Sequence, residues 1–160
     1  MERLFSPWRF SYVSTASVQS GCVFCRAFQQ ADQPDSLVLA RAQQNFILLN
    51  RFPYNNGHLM VAPYQHVSNP ADVDAAVMEE MMRLIQDAIR ALRDVYHPEG
   101  FNVGMNLGKS AGAGVEEHFH MHVVPRWNGD TSFMTTLADT RVIPEAFDVT
   151  IQKLKPYFCK

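Results

Sequence analysis

At 160 residues, 47% hydrophobic, the chain is long enough to bury one full core, and its net charge of −2 at pH 7 leaves no basic footprint for sequence-independent nucleic-acid binding. A nucleotide, which needs only a local pocket, is not excluded; a membrane span is, because no apolar run nears the ~20 residues required. The start, Met1-Glu2-Arg3-Leu4-Phe5-Ser6-Pro7-Trp8, lacks the apolar stretch of a secretory signal, and three cysteines, an odd number, speak for a reducing cytoplasm rather than a disulfide framework.

The chain reads as a single domain over residues 1–160. Residues 1–20 form an irregular N-terminal arm. A short helix is predicted over 23–30, ending before Asp32-Gln33-Pro34. Two apolar runs, 37–42 and 45–50, make an antiparallel hairpin, and Phe52-Pro53-Tyr54-Asn55-Asn56-Gly57 is a turn by composition. A strand resumes over 58–63 with His58, Met60 and Ala62 on one face. Ser68-Asn69-Pro70 opens one long helix, Asn69 its cap and Pro70 in its first turn. Val73, Val77, Met81, Leu84, Ile85, Ala88, Leu92 and Val95 form its apolar stripe, and it stops at His97-Pro98-Glu99-Gly100. A strand over 101–107 places Asn102, Gly104 and Asn106 on one face. A glycine-rich loop, 108–114, leads to a last strand ending near Pro125-Arg126-Trp127, and residues 131–160 form a C-terminal extension. The fold class is α+β: an antiparallel β-meander with one long and one short helix, the helices on one sheet face.

The last strand carries the densest signal. His118-Phe119-His120-Met121-His122 sets a histidine at every second position. On a strand the three imidazoles share one face while Phe119, Met121 and Val123 share the other. Histidine serves as nucleophile, acid, base or metal ligand, so three on one face point to a functional surface. A tag-like or scattered surface cluster would not alternate with core residues.

Other segments admit two readings. Gly108-Lys109-Ser110-Ala111-Gly112-Ala113-Gly114 fails as a P-loop: Gly104 and Gly108 enclose three residues where four are needed, and no helix-forming run follows Ser110. It is either a turn whose backbone N–H groups face phosphate or a flexible connection. Cys22-Val23-Phe24-Cys25 is half of a zinc site, a redox pair, or two buried thiols. Asn50 and Asn106 at strand ends are turn formers or ligand contacts. Trp127 can stack on a base or belong to the core.

The ordered segments Leu49-Asn50-Arg51-Phe52-Pro53, Gly57-His58-Leu59-Met60-Val61-Ala62-Pro63, Asn106-Leu107-Gly108, the three histidines, and Val124-Pro125-Arg126-Trp127 resemble the histidine triad (HIT) family of nucleotide hydrolases and transferases. Within it, residues 101–127 with Val142-Ile143-Pro144 are most similar to bacterial diadenosine tetraphosphate phosphorylases. The resemblance implies His120 as the nucleophile, forming a nucleotidyl-histidine, and His122 as donor to phosphate or the leaving oxygen. It implies ribose contact by Asn50 and phosphate contact by Asn106, with His58 as a fourth histidine beside the triad and Trp127 as the tryptophan of the phosphorylases. Relatives place Ser or Thr just before the triad; here Gly114-Val115-Glu116-Glu117 has no hydroxyl, so phosphate contact falls to Lys109, Ser110 or the N–H groups around Gly112, Ala113 and Gly114. It also implies that His66 and His118 join Cys22 and Cys25 in a structural zinc site, which takes His118 out of proton transfer. Cys159 is left as an incidental thiol.

The expected activity is cleavage of an adenine dinucleoside polyphosphate with inorganic phosphate as co-substrate, in a cytoplasmic homodimer. The alternatives are a hydrolase of the same family (on dinucleoside polyphosphates or nucleoside phosphoramidates), a non-catalytic nucleotide-binding module, and a zinc hydrolase holding its metal with His118, His120 and His122.

Overall fold

The computed structural model describes residues 21–131 and 143–158; the expected N-terminal arm and Cys159 lie outside them. Five strands form one antiparallel sheet: β1 (Val38–Arg41), β2 (Asn45–Leu49), β3 (Leu59–Pro63), β4 (Gly100–Gly104) and β5 (Met121–Arg126). Their order across the sheet is β1-β2-β3-β5-β4. The histidine-bearing strand β5 is therefore internal, inserted between β3 and the edge strand β4. The 37–42 and 45–50 runs pair as the expected hairpin.

Among the described residues three helices flank the sheet: α1 (Val23–Gln29), α2 (Ala75–Tyr96) and α3 (Phe147–Leu154). The expectation that the helices share one face is corrected. Every residue of β2 and β3 is buried, so both sheet faces need covering. Ile47, Leu49, Leu59, Val61, Phe119, Met121 and Val123 pack with Met81, Ile85, Ala88 and Leu92 of α2 and Leu154 of α3. Phe46, Leu48, Met60 and Ala62 alternate with these and point the other way, where Phe24, Ala27 and Phe28 of α1 cover them.

The long helix also starts later than predicted. Asn69 does cap Pro70, its Oδ1 accepting from the Ala71 N–H at 3.0 Å, but only a three-residue 3₁₀ turn follows. Val73 is extended (φ −118, ψ 157), which lays its side chain against the core before α2 begins at Ala75. At the far end His97 closes α2 in the left-handed conformation (φ 48). The predicted strand over 101–107 is shorter, ending at Gly104.

The turn between β2 and β3 is seated on the end of α2. Gly57 has φ +76, and a Cβ there would fall 2.9 Å from Leu92 Cδ2, so the position takes glycine on both counts. Glu145, just before α3, accepts hydrogen bonds from Tyr96 of α2, Asn56 of that turn, and Thr150 and Lys153 of α3. No described helix is long and apolar enough to cross a membrane.

Candidate active site

The alternation of the histidine segment holds, although regular pairing begins only at Met121. Pro63, at the end of β3, has no N–H to extend the ladder. Its carbonyl instead accepts from His118 Nε2 at 2.9 Å, and the Phe119 N–H donates to the Val67 carbonyl at 2.8 Å. Phe119 enters the α2 core while His118 and His120 turn to the α1 side, buried rather than on an open surface. The ring of Phe24, from the Cys-x-x-Cys spacer, lies with its centroid 4.5 Å from that of His120 and 5.2 Å from that of His118.

Backbone partners fix which ring nitrogen carries each proton. His118 donates from Nε2 to Pro63, so its Nδ1 keeps a lone pair, 3.3 Å from Cys22 Sγ and 3.7 Å from Cys25 Sγ. His120 donates from Nδ1 to the His118 carbonyl at 3.0 Å, so its lone pair is on Nε2. His58 Nδ1 accepts the Tyr54 N–H at 3.0 Å, so His58 carries its proton on Nε2 and donates it to His122 Nδ1 at 2.9 Å. His122 in turn carries its proton on Nε2. One histidine thus offers a nucleophilic nitrogen and the other an acidic N–H, both in the neutral state. Burial pushes the His120 imidazole below the ordinary histidine range against the opposing bond to His118, and burial does the same to His118. An uncharged His120 is what nucleophilic attack requires.

A cavity of about 540 Å³ opens onto these groups, within the size range of small-molecule sites. Asn50, Asn106, Gly112, Gly114, His120 and His122 line it, with Val23, Phe24 and Ala27 of α1 as apolar wall. Asn50 also accepts the Phe52 N–H through Oδ1 at 2.9 Å. Gly104 of β4 sits opposite His122 in register, and a Cβ there would meet nothing within 4 Å. Four predicted contacts, Lys109, Ser110, Ala113 and Trp127, are not among the lining residues. His58 is fully buried and not among them either; it reaches the site through His122 and through Asn50, whose Nδ2 lies 3.3 Å from His58 Nδ1. In the glycine loop, the N–H groups of Ala111 and Ala113 donate to Gly108 and that of Gly112 to Lys109. Those three donors close the turn, which leaves less of the loop's backbone for an anion than the sequence suggested. Phe24 and Tyr54 were not singled out in the sequence: Phe24 was hidden as a metal-motif spacer, and Tyr54 acts here through its backbone amide.

Cys22, Cys25, His66 and His118 form a second cluster, their ligand atoms all within 4.8 Å of one another. Cys25 Sγ lies 3.4 Å from His66 Nδ1. Tetrahedral zinc with bonds of ~2.3 Å to sulfur and ~2.0 Å to nitrogen separates its ligand atoms by roughly 3.3–3.8 Å; the donor set suits that ion, and the Cys22–His118, Cys25–His66 and Cys25–His118 pairs at 3.3, 3.4 and 3.7 Å fall in that range. Burial pushes the Cys25 thiol up, and the adjacent Cys22 adds to it; a cation between them would reverse both effects. The triad histidines do not converge on one metal, since His118 presents its lone pair to the cysteines and His122 Nδ1 is engaged by His58.

The HIT domain family model matches residues 31–129. The chain belongs to the histidine triad family. The protein named AP-4-A phosphorylase from Mycobacterium tuberculosis is 42% identical over 152 residues, covering 91% of this chain and 78% of its own. A zinc-bound histidine triad family protein from Mycobacterium smegmatis superposes with a TM-score of 0.68 at 31% identity, over 86% of this chain and 93% of the other. A histidine triad nucleotide-binding protein from Sulfolobus tokodaii shares the fold alone: TM-score 0.69, 22% identity, 86% and 91% covered. This HIT chain is an enzyme of that family.

Proposed function

We propose that this HIT enzyme cleaves dinucleoside polyphosphates of the diadenosine tetraphosphate type and passes the nucleotidyl group to inorganic phosphate. The observation that carries the reading is the proton arrangement of the triad. His120, its Nδ1–H held by the His118 carbonyl, presents the Nε2 lone pair in the same cavity as the N–H of His122.

In the first step His120 Nε2 bonds to the α-phosphorus and the bond from that phosphorus to its bridging oxygen breaks. The leaving ATP oxygen receives a hydrogen bond or proton from His122 Nε2–H. In the second, a phosphate oxygen bonds to the α-phosphorus and the P–N bond breaks, giving ADP and regenerating His120. Diadenosine tetraphosphate plus phosphate becomes ADP plus ATP. The substrate class draws support from the 42% identity to the AP-4-A phosphorylase. Asn50 and Asn106 are assigned to ribose and phosphate.

Zinc held by Cys22, Cys25, His66 and His118 would be structural, cross-linking α1 to the sheet with no open coordination position. As in its expected sequence organisation, the chain works as one domain in a cytoplasmic homodimer. The outer edge of β4 and exposed Val103 support that assembly, and sedimentation at micromolar concentration showing only monomer would remove it.

The deciding experiment is product analysis of diadenosine tetraphosphate with and without phosphate. ADP plus ATP formed only with phosphate is the expected result; AMP plus ATP would make the enzyme a hydrolase.

A further inference from the structure

The two cysteines of the metal cluster are also placed to bond to each other. Cys22 caps α1 and Cys25 stands three positions on; the Arg26 N–H donates to the Cys22 carbonyl at 3.1 Å, so the helical spacing already includes Cys22. Helix geometry then sets the two Cα atoms about 5 Å apart, inside the roughly 4.4–6.8 Å that a disulfide spans. Their sulfurs lie within 4.8 Å of each other, a gap that side-chain rotation closes. Both thiols are only half-buried, and the side chain of His66 beside Cys25 is 45% exposed. A small oxidant therefore reaches them from solvent, access that inert structural cysteines lack. The pair is joined to the nucleophile by two routes. Phe24, between the cysteines in sequence, lays its ring against those of His118 and His120. His118 faces both sulfurs through Nδ1 and holds His120 Nδ1 through its carbonyl.

We propose that Cys22 and Cys25 are a site of reversible oxidation, where a peroxide converts the zinc-binding dithiolate to a disulfide and thereby lowers turnover at His120. One thiolate sulfur bonds to a peroxide oxygen as the O–O bond breaks, giving a sulfenic acid and hydroxide. The second sulfur then bonds to the first as the S–O bond breaks and another hydroxide leaves. Two protons turn the hydroxides into water; the sulfurs lose two electrons and the peroxide gains them. His66 and His118 are then the only ligands left, too few to retain the metal. His118 loses its tie to α1, Phe24 moves with the new bond, and the carbonyl holding His120 is freed to shift. In a reducing compartment such a disulfide is transient and reports oxidation. The metal release rests on the structural-zinc reading, and the loss of turnover on the nucleotidyl-transfer reading.

The test treats zinc-loaded full chain, with Cys159→Ser removing the third thiol, with stoichiometric hydrogen peroxide. Peptide mapping should place a disulfide between Cys22 and Cys25, and a chromophoric chelator should take up one zinc for each disulfide formed. Phosphate-dependent cleavage of diadenosine tetraphosphate should fall about tenfold, the scale of losing support behind a functional histidine, and return with a dithiol reductant plus zinc. The ring-nitrogen NMR signals of His120 should shift on oxidation and shift back on reduction. A chain that binds no zinc, sulfinic acid in place of the disulfide, or His120 signals and turnover unchanged once the disulfide has formed would overturn the proposal. If the untreated protein does not cleave diadenosine tetraphosphate, the nucleotidyl-transfer reading falls, and the disulfide, zinc and His120 readouts still decide whether this site is oxidised and coupled to His120.

Discussion

His58 Nε2 stands 2.9 Å from His122 Nδ1, and the direction of that hydrogen bond is set from behind by the Tyr54 N–H on His58 Nδ1. A backbone amide can only donate, so His58 must accept there and donate onward. His122 must then accept at Nδ1 and keep its proton on Nε2. Nothing in the arrangement requires His58 to touch substrate.

His58→Leu should therefore lower kcat by roughly 10–100-fold, the usual cost of losing a supporting partner of a functional histidine, with nucleotide affinity held within a few-fold. His58→Gln, whose amide N–H can reach toward His122, should recover part of the rate. Nitrogen NMR of His122 provides the readout that packing alone would not move. Its Nε2–H tautomer should dominate in the wild type and mix with the other in His58→Leu. A pure Nε2–H signal in the leucine variant would show that His58 does not set the tautomer.

The roles of His120 and His122 separate by severity. His120→Ala should abolish turnover while nucleotide binding stays within about tenfold, since the lost bond forms on the way to the transition state. His122→Ala should slow the reaction less, because water can replace part of a donor's contribution. Quenching the wild type during turnover of substrate labelled at the α-phosphorus should trap acid-labile, base-stable label on the protein. Absence of that label, with near-normal activity of His120→Ala, would overturn the nucleophile assignment.

What the sequence conveyed and what it concealed follow from where the determining groups sit. The alternation at 118–122 was legible because side-chain period alone decides faces, and Phe119 and Met121 are in the core as that period requires. The proton positions were not legible, because the carbonyls of Pro63 and His118 and the amide of Tyr54 fix them, and backbone groups leave no mark in residue identity. The four clustered Cys and His side chains were assembled through family resemblance rather than spacing, since 96 residues separate Cys22 from His118. The start of α2 was misplaced because Asn69-Pro70 is a genuine cap signal, spent on a single 3₁₀ turn before Val73 turns into the core. The second helical layer was overlooked although 46–49 and 59–62 are continuously apolar and every residue of β2 and β3 is buried, a pattern that demands cover on both faces.

Protein purified without chelators should carry about one zinc per chain by elemental analysis, bound by Cys22, Cys25, His66 and His118. Cys22→Ser should lose metal and thermal stability together, because binding energy at such a site is folding energy. Its effect should extend to catalysis, since the His118 that faces the thiols also provides the carbonyl holding His120. Metal-free protein with an unchanged Tm on chelation would return the cysteine pair to a simple thiol role.

The last prediction concerns acid stability and Glu145, which joins the C-terminal helix to Tyr96 and to the turn bearing Asn56. Burial pushes its carboxyl up, but the hydrogen bonds from Lys153, Tyr96, Thr150 and Asn56 outweigh burial and hold it at about 2, below its ordinary 4.5. A carboxylate whose pKa is depressed by folding adds stability that is full above its unfolded value and fades as pH falls through the folded one. The Glu145 contribution should thus be complete at neutral pH and disappear between about pH 4.5 and about pH 2. Burial, with the Glu145 bond adding to it, pushes the Tyr96 phenol up to about 12 from its ordinary 10. For that group the sign is opposite: its share is full below pH 10 and lost toward 12. Glu145→Gln cannot ionise, so its Tm should sit below wild type at pH 7 and converge with it by pH 2–3. A Tm difference that stays constant across that acid range would show that the carboxylate charge is not what holds the extension in place.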